Sequence, residues 1–170
     1  MIEFDMPGTI HASSTFNPAH HVTASHYIAQ HHSAGVEILG SRVFQDFPNL
    51  KIIISHGGGA IPYQWSRHRG SHVMLGLEPF EDAARRVYRD MAIYDQESME
   101  MLIKRVSVDN VLFATEMFGA VNAIDPQTGR SFEDVRSLFD AIDWLSDEDR
   151  QKIYEGNARK VYGGRLPSAS

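Results

Sequence analysis

An α/β fold built on a parallel sheet is the class this 170-residue sequence predicts, and three observations predict it. Short apolar runs recur along the chain, helical patterns lie between them, and reactive side chains stand where the runs end. Alternation of strand and helix implies a parallel sheet covered by helices. About four βα units can be counted, half of a (β/α)8 barrel, which typically needs about 250 residues. The same units would suit a small open sheet, and periodicity leaves the two open.

The elements follow in order. GTIHAS (8–13) is a weak strand candidate. From Ser25 to Phe47, apolar residues at Ile28, Val36, Ile38, Leu39, Val43 and Phe44 make a helical face that Pro48 ends. KIIIS (51–55) and NVLFAT (110–115) are apolar enough for buried parallel strands, and VYRDMAI (87–93) is a less clean third. Met99, Leu102, Ile103 and Val106 give Ser98–Val106 helical spacing, and Phe132–Trp144 is amphipathic. Ser146 is placed to cap a helix whose first turn carries Asp147, Glu148 and Asp149, which suits the helix dipole. Gly156–Asn157 is expected to break that helix, with Asn157 capping the NARKVY segment. Residues 1–163 are read as one domain and 164–170 as a disordered tail.

Composition narrows the function classes. Hydrophobic residues are 42% and charged residues 22%, so the chain can bury an ordinary core. A net charge of −6 without a basic stripe argues against nucleic acid. Cysteine is absent, which excludes disulfides and thiolate metal sites and fits a cytoplasmic protein. No apolar run approaches the ~18 residues of a membrane span, and MIEFDMPGTI lacks the pattern of a signal peptide. No membrane partner is expected. Nine histidines are left as the natural metal ligands and proton carriers.

Reactive groups in parallel α/β folds sit at the C-terminal ends of strands. His11 follows GTI, His56 follows KIIIS and Glu116 follows VLFAT. On neighbouring strands of one barrel these would converge on one mouth, and two histidines with a carboxylate suit zinc ligation or proton transfer. A strand-end histidine is more often a hydrogen-bonded structural residue, which is the bland reading of His11. At His56 the glycines that follow, Gly57–Gly59, argue for a sharp turn or for room beside a ligand. Glu116 sits in an apolar context where an isolated carboxylate is costly, so a partner or a metal is expected. The glycine run is not a phosphate loop, since no Gly-Lys-Ser/Thr follows, and no G-x-S-x-G elbow exists to make HGGG an esterase oxyanion loop. His68 and His72 are read as surface residues, and His20–His21 and His31–His32 as exposed or partly packed.

KIIISHGGGAIPYQWSR, DNVLFATEMFGAV and LSDEDRQKIYEGNARKVYG together resemble the second half of the amidohydrolase-related metal-dependent (β/α)8 enzymes. This is the branch that holds aminocarboxymuconate-semialdehyde decarboxylase, γ-resorcylate decarboxylase and 4-oxalomesaconate hydratase. The likeness runs from about His11 to Gly163. ATEMFGA, IDPQTGRSFEDV and NPAHHVTASHYI lean toward the hydratase, where the decarboxylases usually carry G-T-D after the last strand. The fold implied is the C-terminal half of the barrel. The resemblance implies zinc or another divalent metal held by His11 and Glu116, with Glu116 also orienting water. It implies acid–base chemistry at His56 and a substrate contact at Tyr27. It further implies a small di- or tricarboxylate substrate, a homo-oligomer, and hydration of 4-oxalomesaconate in protocatechuate or gallate catabolism. Nonoxidative decarboxylation, another hydrolysis of the amidohydrolase type and an inactive half-barrel are the alternatives. Two departures stand out: no H-x-H pair occurs, and Asn122 takes the place of an expected arginine.

Overall fold

A computed structural model gives the architecture and describes residues 1–13, 15–18, 22–117 and 119–167. Four short strands, β1 (Gly8–Ile10), β2 (Ile52–Ile54), β3 (Val87–Asp90) and β4 (Val111–Leu112), form one sheet in the order β1-β2-β3-β4. Every pairing is parallel, with Ile10 beside Ile54, Ile54 beside Arg89, and Arg89 beside Val111. The strands are the apolar runs of the sequence, shortened to the residues that pair. All four therefore end at one edge, and that edge collects the reactive side chains.

Alternation along the strands sorts two faces. Ile52, Ile54, Val87 and Val111 pack with the helices in the main core, whereas Ile53 and Leu112 meet Val161, Ala158 and Tyr162 on the other side. Arg89 shares the helix-covered face and is fully buried there. One of its amino groups reaches the Ala84 and Val87 carbonyls, while Nε and Nη2 have no partner. Burial without a carboxylate pulls the guanidinium down to about 10.

The helices are α1 (Ile28–Leu39), α2 (Val43–Asp46), α3 (Trp65–Leu75), α4 (Phe80–Ala84), α5 (Gln96–Val106), α6 (Val135–Asp140), α7 (Asp147–Gln151) and α8 (Asn157–Tyr162). The Ser25–Phe47 segment is not one helix. A π-helical turn over Val22–Tyr27 leads into α1, which buries His31, Gly35 and Leu39 at four-residue spacing, and the chain breaks at Gly40–Arg42 before α2. Gly35 lets α1 close on the core, since a β-carbon there would lie 2.6 Å from Ile61 Cδ1.

The cap on α7 forms as its sequence implies, with the Ser146 hydroxyl accepting the Asp149 N–H at 3.1 Å. Asp95 and Asp134 cap α5 and α6 in the same way. Gly156–Asn157 does not interrupt the C-terminal helix. Both residues keep right-handed dihedrals, and a π-helical turn over Lys152–Gly156 runs straight into α8. The Asn157 amide is used elsewhere, donating to the Val108 and Val111 carbonyls and so tying α8 to β4. Gly163–Arg165 forms a 3₁₀ turn from which Arg165 donates to the Phe4 and Asp5 carbonyls. Among the described residues no helix is long and apolar enough to cross a membrane.

Candidate active site

His11, His56 and Glu116 stand at or just past the ends of β1, β2 and β4, and Tyr27 and His31 reach the same place from the start of α1. The His11 ring lies 5.4 Å from Tyr27, 5.1 Å from His31 and 5.5 Å from His56. His56 Nε2 faces Glu116 Oε1 at 3.6 Å. A cavity of about 380 Å³ opens beside them, lined by Tyr27, His56, Tyr94 and Glu116 on its polar side and by Ile28, Ile93 and Leu102 among its apolar walls. The four sequence candidates are thus in one neighbourhood. His31 joins them, although its sequence position pointed to exposure or partial packing; its accessibility is 0%.

The HGGG stretch is a run of left-handed backbone. His56, Gly57, Gly58 and Gly59 have φ of +53°, +65°, +81° and +64°. Glycine adopts this region freely, and at Gly59 space also forbids a side chain, because a β-carbon would lie 2.6 Å from the Ile28 carbonyl oxygen. Gly57 is closed in by Ile93 Cδ1, 2.9 Å from where its β-carbon would sit. The glycines therefore turn the chain sharply against α1 and β3, and Gly57 and Gly59 also border the cavity. His56 is the one residue of the four with a side chain, and holding it there costs on the order of 1–2 kcal/mol.

Partners of the ring nitrogens decide which lone pairs are free. A carbonyl only accepts, so Nδ1 of His11 carries its proton toward the Ala12 carbonyl at 2.9 Å, and Nδ1 of His56 toward the Ala92 carbonyl at 3.1 Å. Both rings then present Nε2 as an acceptor, the arrangement that metal-ligating histidines adopt. Nε2 of His56 is buried and has no hydrogen bond. It faces a carboxylate oxygen, so a proton or a cation between them would relieve two opposed lone pairs. The nitrogen and oxygen donors fit a divalent metal such as zinc or manganese.

His31 lies with His11 and His56 in a group whose candidate ligand atoms fall within 4.8 Å of one another, and Glu116 lies outside that group. Chemistry separates His31 from its neighbours. Its Nε2 accepts the Ala12 N–H at 3.0 Å, which consumes that lone pair and leaves the proton on Nδ1. Burial, with His56 and His11 close by, lowers His31 to about 4, so the ring stays neutral. It anchors the residue whose carbonyl orients His11. The one sequence signal for this was its position four residues beyond Tyr27 on the same helix face.

Glu116 has the partner its apolar context required. The Tyr94 hydroxyl donates a short hydrogen bond to Glu116 Oε2, and burial, that bond and the charges of Glu116 and Glu133 push the phenol well above its ordinary value. Just beyond, the buried Glu133 carboxylate accepts the backbone N–H groups of Gly119, Val121 and Asn122. The Val121 N–H foremost holds Glu133 below the usual carboxylate range. This shapes the loop that carries Ala120 to the cavity rim. Tyr94 carried no sequence motif, Glu133 lay in the IDPQTGRSFEDV segment without being singled out, and Asp90 lay inside a run read only as strand.

The remaining histidines divide. His68 and His72 are buried on α3 at 6% and 5% exposure, packed on Phe80, which corrects the surface reading. His32 stacks near His68 at 5.3 Å. His20 and His21 lie outside the described residues.

Comparison with known proteins supplies the context for this geometry. The family pattern described as Amidohydrolase matches residues 1–164. A 2-keto-4-carboxy-3-hexenedioate hydratase of Sphingobium sp. strain SYK-6 is 43% identical over 164 residues, covering 95% of this chain and 48% of the relative. The crystal structure of 4-oxalomesaconate hydratase from Rhodopseudomonas palustris superposes with a TM-score of 0.85 at 39% identity, over 95% of this chain and 47% of that one. A dihydroxybenzoic acid decarboxylase from Polaromonas sp. JS666, solved with bound manganese, shares the fold at a TM-score of 0.67 and 19% identity, over 94% and 50%. The chain spans about half the length of the relatives it matches, and its four-stranded parallel sheet corresponds to part of their barrel.

Proposed function

The chain belongs to the amidohydrolase family, and from that premise we propose that its site serves metal-dependent addition of water to the carbon–carbon double bond of an unsaturated oxo-tricarboxylate, with 4-oxalomesaconate as the specific candidate. The observation that carries this reading is the pairing of His56 Nε2 with Glu116 Oε1 at 3.6 Å on the wall of a cavity. Likeness to two hydratases supports the choice of reaction. Degradation of protocatechuate or gallate in the cytoplasm is the setting that goes with this substrate.

Hydration breaks one O–H bond of water, forms a C–O bond at one alkene carbon and places a proton on the other. His56 acts through Nε2, because Nδ1 is committed to the Ala92 carbonyl; Nε2 takes up the water proton that reaches it from Glu116 Oε1 opposite and delivers it to the substrate carbon. Glu116 orients the water and accepts its proton through Oε1, since Oε2 is taken by Tyr94. Tyr27 lines the cavity and donates to a substrate oxygen. His11 and Glu116 would hold a divalent metal, which when bound supplies positive charge to polarise substrate and water. That charge matters here: no lysine or arginine is among the described residues lining the cavity.

Loss of the conjugated oxalomesaconate absorbance, followed with the purified chain and added zinc or manganese, tests the reading. Turnover that falls at least about a hundredfold in His56→Ala supports it. Release of carbon dioxide without water addition would assign decarboxylation instead, and absence of turnover together with absence of stoichiometric metal would leave an inactive half-barrel.

A further inference from the structure

We infer that Asp90 is a positioning residue for His56, holding both the backbone from which the imidazole projects and the carbonyl that selects its free nitrogen. Asp90 ends β3, beside the strand that leads into His56. Its Oδ1 accepts the His56 backbone N–H at 2.8 Å and the Ala92 backbone N–H at 3.2 Å. The Ala92 carbonyl in turn accepts Nδ1–H of His56 at 3.1 Å. One carboxylate oxygen thus closes a ring of contacts that begins and ends on the same histidine.

Each arm of the ring has its own consequence. The arm to the His56 N–H fastens a residue at φ +53°, a conformation that residues bearing side chains leave when nothing holds them. The arm through Ala92 keeps a carbonyl at Nδ1, so the proton stays there and the lone pair on Nε2 faces Glu116. Loss of Asp90 strands two backbone N–H groups, lets His56 return toward negative φ and releases the Ala92 carbonyl. The ring then loses both its single tautomer and its aim. Charge is not what the geometry requires of residue 90. The side-chain amide oxygen of Asp90→Asn accepts the same two N–H groups, whereas Asp90→Ala supplies no acceptor.

The kinetic arm of the test rests on the hydratase reading; the other two arms do not. Nitrogen NMR of the chain labelled with 15N-histidine, at about pH 9 where imidazoles are neutral, reports the His56 tautomer, the signal being assigned by its loss in His56→Gln. The expected result is a single Nδ1–H tautomer in the parent and in D90N, and a mixture in D90A. Urea unfolding of D90A, H56G and the double variant gives a coupling: the D90A loss should shrink by half or more when residue 56 is glycine, which is unstrained at positive φ. In turnover, D90A should lower kcat about tenfold with KM changed less than about twofold, and D90N should restore kcat to within about threefold. A folded D90A that keeps one Nδ1–H tautomer overturns the inference, as do D90A and H56G losses that simply add. Should D90A fail to fold, D90N and the H56G/D90A pair decide. A mixed tautomer in D90N, or a double variant that is also unfolded, overturns it. A parent chain without turnover defeats the hydratase reading, while the spectroscopic and unfolding arms still decide the role of Asp90.

Discussion

Tyr94 occupies one oxygen of Glu116 and leaves the other to His56, so at the residue scale the phenol governs how the carboxylate is presented. Tyr94→Phe keeps the ring in the cavity wall and removes only the donor. We expect kcat to fall about tenfold and the unfolding free energy by about 1.5 kcal/mol, the lower end for a hydrogen bond to a charged group; steady-state rates and urea midpoints check both. Sequence reading reached His11, His56, Tyr27 and Glu116 because three of them punctuate apolar runs and one sits in a recognisable segment. It missed His31 and Tyr94 for a physical reason. Their importance comes from partners far along the chain, the Ala12 N–H for one and the Glu116 carboxylate for the other, and no local pattern records such a meeting.

Turns and helices carry their own lessons at the scale of elements. Gly59 combines φ +64° with the Ile28 carbonyl 2.6 Å from any added β-carbon. Gly59→Ala should therefore destabilise by more than about 2 kcal/mol and lower the melting temperature by several degrees; an unchanged thermal melt would refute the packing described. The strands were legible because they are the apolar runs, and the α7 cap because Ser146 and its acidic first turn are local chemistry. The continuity of the C-terminal helix was not. Gly156 reads as a breaker in isolation, yet Asn157 is held to the Val108 and Val111 carbonyls of the neighbouring segment, and that anchorage outweighs the glycine's preference. The α3 histidines were hidden in a similar way: an i, i+4 pair of polar residues suggests a wet face, and Phe80 makes it a dry one.

For the molecule as a whole, buried histidines set a limit on acid stability. His68 is lowered first by burial and then by His32 across from it on α1, by His72 and by Arg67, with Phe80 of α4 against its ring. A histidine kept neutral in the fold takes up a proton in the unfolded chain first, so stability is full above about pH 6.5 and declines as pH falls below it. Urea midpoints at about pH 7.5 and 5 should show that decline, and His68→Leu should make it shallower. Arg89 bears on the whole core rather than on pH. A fully buried guanidinium with two unpartnered nitrogens is a poor use of interior space, and hydrophobic replacement of buried charge is often neutral or stabilising. Arg89→Met should leave the urea midpoint no lower than the parent's, and a lower midpoint would show that its bonds to the Ala84 and Val87 carbonyls outweigh its desolvation. The parallel sheet was readable from alternation alone, while the strand order needed the structure, and its identity as part of a barrel needed the motifs and then the relatives.

The four positive φ angles of residues 56 to 59 also have a meaning in terms of chirality. Three of these residues are achiral, so His56 is the single stereocentre in a stretch of mirror-image backbone. A D-histidine introduced there by chemical synthesis would relax the backbone, since the left-handed region is its natural one. The same inversion would move the β-carbon to the other side of the chain and carry the imidazole away from Glu116. Ease of backbone and direction of the side chain are opposed at this position, and the natural L-residue keeps the direction.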